Sequence, residues 1–249
     1  MTESVLVAGI PTPFVSGHAV SKAVAIVQSS YIPWKGYFDL IRRVDEFILF
    51  DDVQFTKRDW RSRNRIKTPN GPIWLTVPVQ VKGRYLQAIK DTQVSDPGWN
   101  QRHWRTIQAN YARAPFYGLY KDTLEELFLS CQDTRLSAIN YRLTAGLCAL
   151  LGVNTKLSWS MDYTVVSGKT ERLVALCQQA GATRYLSGPL ARDYIDPAFF
   201  EAAGIALSFF DYTGYPEYPQ LHPPFEHQVS VIDLLLHTGP DAPKYLLPL

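Results

Sequence analysis

Short apolar runs separated by segments of helical period constrain this chain most. The runs at residues 23–27, 46–50, 156–160, 184–187 and 205–210 have strand length. The run at 46–50 is continuous and stops at Asp51-Asp52, as a buried strand does. Between the runs, residues 36–43, 170–179 and 197–203 read as helices; in the first, Phe38, Ile41 and Val44 share one face. Strands that alternate with helices need crossover connections. The pattern therefore predicts an α/β, Rossmann-like fold with a mostly parallel sheet and flanking helices. A helical middle segment, at about residues 97–152, interrupts the alternation with helices expected at 99–112, 117–129 and 136–151, the last closed by Gly152. The turn signal at 68–72 leads into an expected strand at 73–81. Residues 1–22, with Pro11, Pro13 and Gly17, read as a loosely ordered arm before a single α/β domain at 23–249.

Ligands of such sheets sit beyond the carboxyl ends of the strands. The loops at 28–35, 51–57, 167–169 and 187–193 all follow expected strands and can converge on one crevice. They carry Gln28, Tyr31 and Trp34, then Gln54, then Lys169, and last Ser187, Gly188 and Asp193. Lys35 and Gly36 open a helix, where unpaired N–H groups and the dipole favour an anion. The alternative is that Pro33 and Trp34 only shape a tight connection. Asp51 and Asp52 end a strand, so either can serve as a general base or can neutralise Lys57 or Arg58.

The segment at 57–67 carries six cationic side chains and Asp59 alone as an acid, in a chain of net charge +2. If extended, it lines Arg61, Arg63 and Arg65 along one side, with Trp60, Ser62 and Asn64 along the other. Planar guanidinium groups suit phosphate, sulfate or carboxylate. Ser167-Gly168-Lys169-Thr170 lacks the first glycine of a phosphate loop, Tyr163 standing there, but Lys169 and Arg172 remain anion contacts. His103 is the histidine best suited to proton transfer, against the alternative of a satisfied core histidine. His222 and His227 flank Pro223-Pro224, which excludes helical zinc-pair spacing, so no metal site is expected.

The small net charge argues against a general nucleic-acid or membrane-surface protein. Cys131, Cys148 and Cys177 form no C-x-x-C pair and read as buried, reduced thiols. No apolar run reaches the roughly 20 residues of a membrane span. A cytoplasmic location is the expectation.

Several motifs in order, among them Tyr31-Ile-Pro-Trp-Lys-Gly36, Asp51-Asp-Val-Gln-Phe55, Trp74-Leu-Thr-Val-Pro78, Tyr185-Leu-Ser-Gly-Pro189 and Ser230-Val-Ile-Asp-Leu234, resemble the WbqC-like protein family. The resemblance implies a biosynthetic role in surface-polysaccharide or specialised-metabolite pathways, with an amino sugar or similar amine as acceptor. The first loop also resembles that of nucleotidylyltransferase-like folds, with Tyr37 where those enzymes carry histidine. The resulting expectation is a transferase that moves an acyl or aminoacyl group from a phosphate-bearing donor, aminoacyl-tRNA included, to an amine. Lys35, Arg61 and Arg63 would hold the donor, Gln28 and Asn64 would orient polar groups, and Asp52 or His103, with Asp51 beside them, would take the proton. The alternatives are nucleotidyl transfer with Mg²⁺ and a nucleotide, and a non-catalytic RNA-binding module.

Overall fold

The computed structural model describes residues 21–164 and 166–249. The arm expected at 1–22 lies, up to residue 20, outside the described residues. In chain order the elements are β1 (Ala23–Val27), α1 (Lys35–Ile41), β2 (Glu46–Leu49), β3 (Arg63–Thr68), β4 (Gly71–Thr76), α2 (Trp99–Tyr111), α3 (Tyr117–Leu129) and α4 (Leu136–Leu150). There follow β5 (Lys156–Trp159), α5 (Thr170–Gln179), β6 (Arg184–Ser187), α6 (Pro197–Ala202), β7 (Ala206–Phe209) and α7 (Val231–Thr238).

Five strands form one parallel sheet in the order β5-β2-β1-β6-β7. Alternation along β1 divides its side chains between two apolar layers. Val24 and Ile26 join Leu173, Leu176, Cys177 and Phe200 of α5 and α6 on one side. Ala23 and Ala25 join Phe38, Ile41 and Phe47 on the other, in a core that continues into α2, α3, α4 and α7. Both faces are therefore covered, as a parallel sheet requires. The α/β, Rossmann-like architecture expected from the strand–helix alternation is the one observed.

The chain leaves β1 toward β2 and β5, then returns to the other side of β1 as β6. Loops after β1 and β6 consequently diverge and open a crevice at the carboxyl edge of the sheet. The long crossover between β2 and β5 holds the helical middle and also an antiparallel hairpin, β3–β4, that is separate from the parallel sheet. The strand expected at 73–81 thus ends at Thr76 and pairs with the basic segment; Val77 and Pro78 follow it, and proline cannot donate to a ladder.

Helix α7 is a second element absent from the expected pattern. Every residue of it is buried, so it has no polar stripe from which a helical period could be read. Its interior carboxylate, Asp233, is matched by donors: the hydroxyls of Tyr111 and Tyr218 at 2.8 Å each and Gln220 Nε2 at 2.9 Å. Val231 N donates to Pro33 O at 2.8 Å, which fastens the helix under the first loop.

Candidate functional site

A cavity of about 1160 Å³ lies at the carboxyl edge of the sheet, and segments following all five parallel strands line it. From the first loop come Gln28, Ser30, Pro33 and Trp34; from the β2 side, Val53, Trp60, Arg61 and Asn64. The start of α5 contributes Gly168, Lys169 and Arg172, and the end of β6 with the segment after it contributes Ser187, Gly188 and Leu190. Tyr212, Tyr215, His227 and Gln228 close it from the segment after β7.

The polar residues of the first loop are mostly committed to one another. Asp51 is fully buried; it accepts from Ser29 N at 2.8 Å and from Ser137 Oγ at 2.5 Å, and burial raises its pKa despite those donors. Asn64 lines the cavity, yet its Nδ2 donates to the carbonyls of Tyr31 and Ile32 at 3.1 and 3.0 Å, and its Oδ1 accepts from Arg65 N. Arg61 Nη1 donates to the carbonyls of Gln28 and Ser29 at 2.9 and 3.2 Å. These contacts hold the loop's shape, because buried backbone carbonyls need partners.

Several expected site residues are placed elsewhere. Tyr31 is wholly buried, and its hydroxyl shares a hydrogen bond with His103 Nδ1 at 2.6 Å. The Thr76 backbone favours the charged form, but burial outweighs it and pushes the His103 pKa down to about 4. His103 is thus a neutral core histidine packed edge-on to Trp99 and lies outside the cavity lining. Lys35 is 2% exposed, donates to Pro216 O at 2.8 Å and faces the rings of Tyr215 and Tyr218 at 5.0 and 5.1 Å. Burial outweighs the acids Asp39, Asp233 and Glu217 and lowers its pKa to about 8. Gly36 leaves room for the Trp34 ring, which a Cβ there would meet at 2.3 Å.

The basic segment also divides differently. Arg63 lies over the Trp74 ring at 4.0 Å, and Arg65 bonds the Gln228 carbonyl and side chain at 3.1 Å each. Strand alternation turns both arginines to the hairpin's outer face while Asn64 and Ile66 go inward, so Arg61 alone of the three lines the cavity. Gln54 donates to Tyr85 O, and Lys57 lies over the Tyr85 ring; both are exposed and away from the cavity, as is Asp193.

Chemistry that does face the cavity comes from α5 and from the segment after β7. Lys169 and Gly168 sit at the α5 N-terminus, which has no side-chain cap. Among the described residues Lys169 has no carboxylate within ion-pair distance. Glu171, in the first turn, leans over Gly168 and partly offsets the helix dipole. Arg172 is paired with Asp52, whose other oxygen accepts from Ser160 Oγ at 2.6 Å. Asp52 therefore anchors the arginine that lines the cavity. His227 packs edge-on against Phe225, and its buried Nδ1 has no partner. Burial, with Lys35 nearby, lowers its pKa below the usual imidazole value, so it is neutral near pH 7. No lining residue is Asp or Glu, and among the described residues no three His, Cys, Asp or Glu side chains cluster as metal ligands do.

Sequence reasoning passed over His227, which was weighed only as half of a zinc pair, and the lining tyrosines Tyr37, Tyr185, Tyr194, Tyr212 and Tyr215. Proline-rich surroundings hide periodicity, so only the folded chain shows where the segment at 210–230 lies. The three cysteines are buried, and burial raises Cys148 and Cys177 to about 12 and Cys131 above its usual value. Among the described residues no helix is long and apolar enough to cross a membrane.

The fold and cavity define a doubly wound α/β protein with a small-molecule-sized site at its topological switch point. The chain belongs to the WbqC-like protein family, which it matches over residues 28–245. It is 53% identical over 225 residues, 90% of this chain and 97% of the relative, to Uncharacterized protein Rv1507c of Mycobacterium tuberculosis (strain ATCC 25618 / H37Rv). No solved structure matches.

Proposed function

We propose that the chain is a biosynthetic transferase that moves an acyl or aminoacyl group from a phosphate-bearing donor to an amine within this cavity. The observation that carries the reading is the His227 imidazole in the lining of the same cavity as Lys169 at an uncapped helix start. The donor's phosphate sits by Lys169 and the α5 amides, where the lysine and unpaired N–H groups favour it against the Glu171 carboxylate in the same turn. Tyr212, Tyr215 and Trp34 give the apolar walls against which a ring of donor or acceptor packs.

The acceptor nitrogen attacks the acyl carbon, and the His227 imidazole takes the proton the nitrogen loses. The bond from carbon to the donor's leaving atom then breaks, and the imidazolium returns that proton to the leaving group. A neutral imidazole is the form this requires, and its lowered pKa keeps it so. An Mg²⁺ ion arriving with a nucleotide donor would be held by the donor's phosphates, because the lining supplies no carboxylate.

Purified protein incubated with amino sugars or other amines and a panel of acyl and aminoacyl donors, read by mass spectrometry, tests this. An amide product from wild type and none from His227→Gln is the expected result. Product formed equally by both proteins would remove His227 from the chemistry, and no product from any pair would remove the reading.

A further inference from the structure

We infer that the outer face of the β3–β4 hairpin is a docking strip for the single-stranded end of an RNA, leading into the cavity. The inference rests on the transferase reading above, in which the donor bears phosphate, and identifies the class of that donor. Trp60 and Trp74 are 38% and 43% exposed, with ring centroids 5.2 Å apart. Trp60 also lines the cavity, so the pair runs from its mouth onto the hairpin. Two large exposed indoles, one on the hairpin and one just before it, are costly surface for a molecule without a partner there. Cross-strand pairing explains the placement, since Arg65 stands opposite Trp74 and Arg63 is its diagonal neighbour.

The charge beside these rings selects the partner. Arg63 lies over Trp74 at 4.0 Å, its Nε has no hydrogen-bond partner, and no carboxylate pairs with it among the described residues. Lys57 and Arg58, both exposed, continue the positive charge, and Lys57 covers the exposed Tyr85 ring at 4.9 Å. Exposed aromatic planes interleaved with unneutralised cations are what successive unpaired bases and their phosphates require. An uncharged oligosaccharide would use the indoles and leave the arginine idle; an acidic peptide would use the cations and leave the indoles idle. With an RNA end as donor, the acyl group enters the cavity as an ester of the terminal ribose. The amine attacks that ester, its C–O bond breaks, and the ribose hydroxyl leaves with the proton held by His227.

Fluorescence anisotropy of a 5′-labelled single-stranded octaribonucleotide, titrated with the full chain at low and moderate salt, provides the test. Binding is expected to favour the single strand over the same sequence as a duplex and to weaken tenfold or more with added salt. Trp74→Ala and Arg63→Ala, both at the surface, should each weaken it at least fivefold, while circular dichroism confirms that they fold. No binding at low salt, equal binding by both variants, or tighter binding of an uncharged oligosaccharide or acidic peptide would overturn the inference. RNA binding retained by His227→Gln without amide formation by wild type would sink the transferase reading alone. Transfer from a small donor without RNA binding would sink this one alone.

Discussion

The first loop with its basic segment, and the α5 start with the segment after β7, form opposite walls of one cavity and use their polar groups in opposite ways. In the first wall Asp51, Asn64, Arg61 and Tyr31 are bound by backbone groups and neighbouring side chains, although Arg61 Nε is left without a hydrogen-bond partner. In the second, Lys169 and the His227 side chain line the cavity without protein partners among the described residues. The more chemically suggestive sequence thus makes the scaffold, and the plainer one carries the groups available to a ligand. Residue type signals capacity for chemistry; a full account of partners shows whether any capacity remains.

That contrast can be broken most directly at His227. His227→Gln should lower turnover by about 10²–10⁴-fold, the usual span for a lost general base, with little change in the thermal midpoint. Loss of folding instead would move His227 into the scaffold. Asp51→Ala should do the reverse, because it leaves the Ser29 amide and the Ser137 hydroxyl buried without an acceptor. A loss of about 3 kcal/mol in urea unfolding is expected.

Lys35 sharpens the contrast through pH. Its pKa of about 8 in the folded protein lies below the ordinary 10.5, so between these values the unfolded chain binds the extra proton. Stability should therefore rise as pH increases from 8 to 10.5, by up to about 3 kcal/mol, and Lys35→Met should flatten that slope in unfolding measured across the range. An unchanged slope would show that Lys35 titrates normally. Lys169→Ala should weaken an anionic donor about tenfold by calorimetry, near 1.4 kcal/mol, and leave stability unaltered. Gln54→Ala, which loses one exposed bond to Tyr85 O, should change neither stability nor binding beyond about 0.5 kcal/mol.

Much of the fold could be read directly. The expected helices at 117–129 and 170–179 and the strand at 184–187 have the observed bounds, because each combines a clear period with a defined stop such as Gly181. The carboxyl-edge loops expected to meet do contribute to one cavity. The hairpin was half visible, as a turn and one strand, with the alternation of the basic segment conditional on its being extended. Helix α7 left no period to read because it is buried on all sides.

Apolar runs and their spacing, by themselves, determined the parallel α/β sheet, its helical excursion and the edge at which a ligand would bind. These are local properties, set by which residues can bury a face in a strand or a helix. Tertiary structure alone decided which polar groups remain available. That Tyr31 meets His103, that Asp51 meets Ser137, and that His227 meets no acceptor or donor depends on segments far apart in the chain. Burial and partner geometry, which fix protonation and reach, exist only once those segments are packed together.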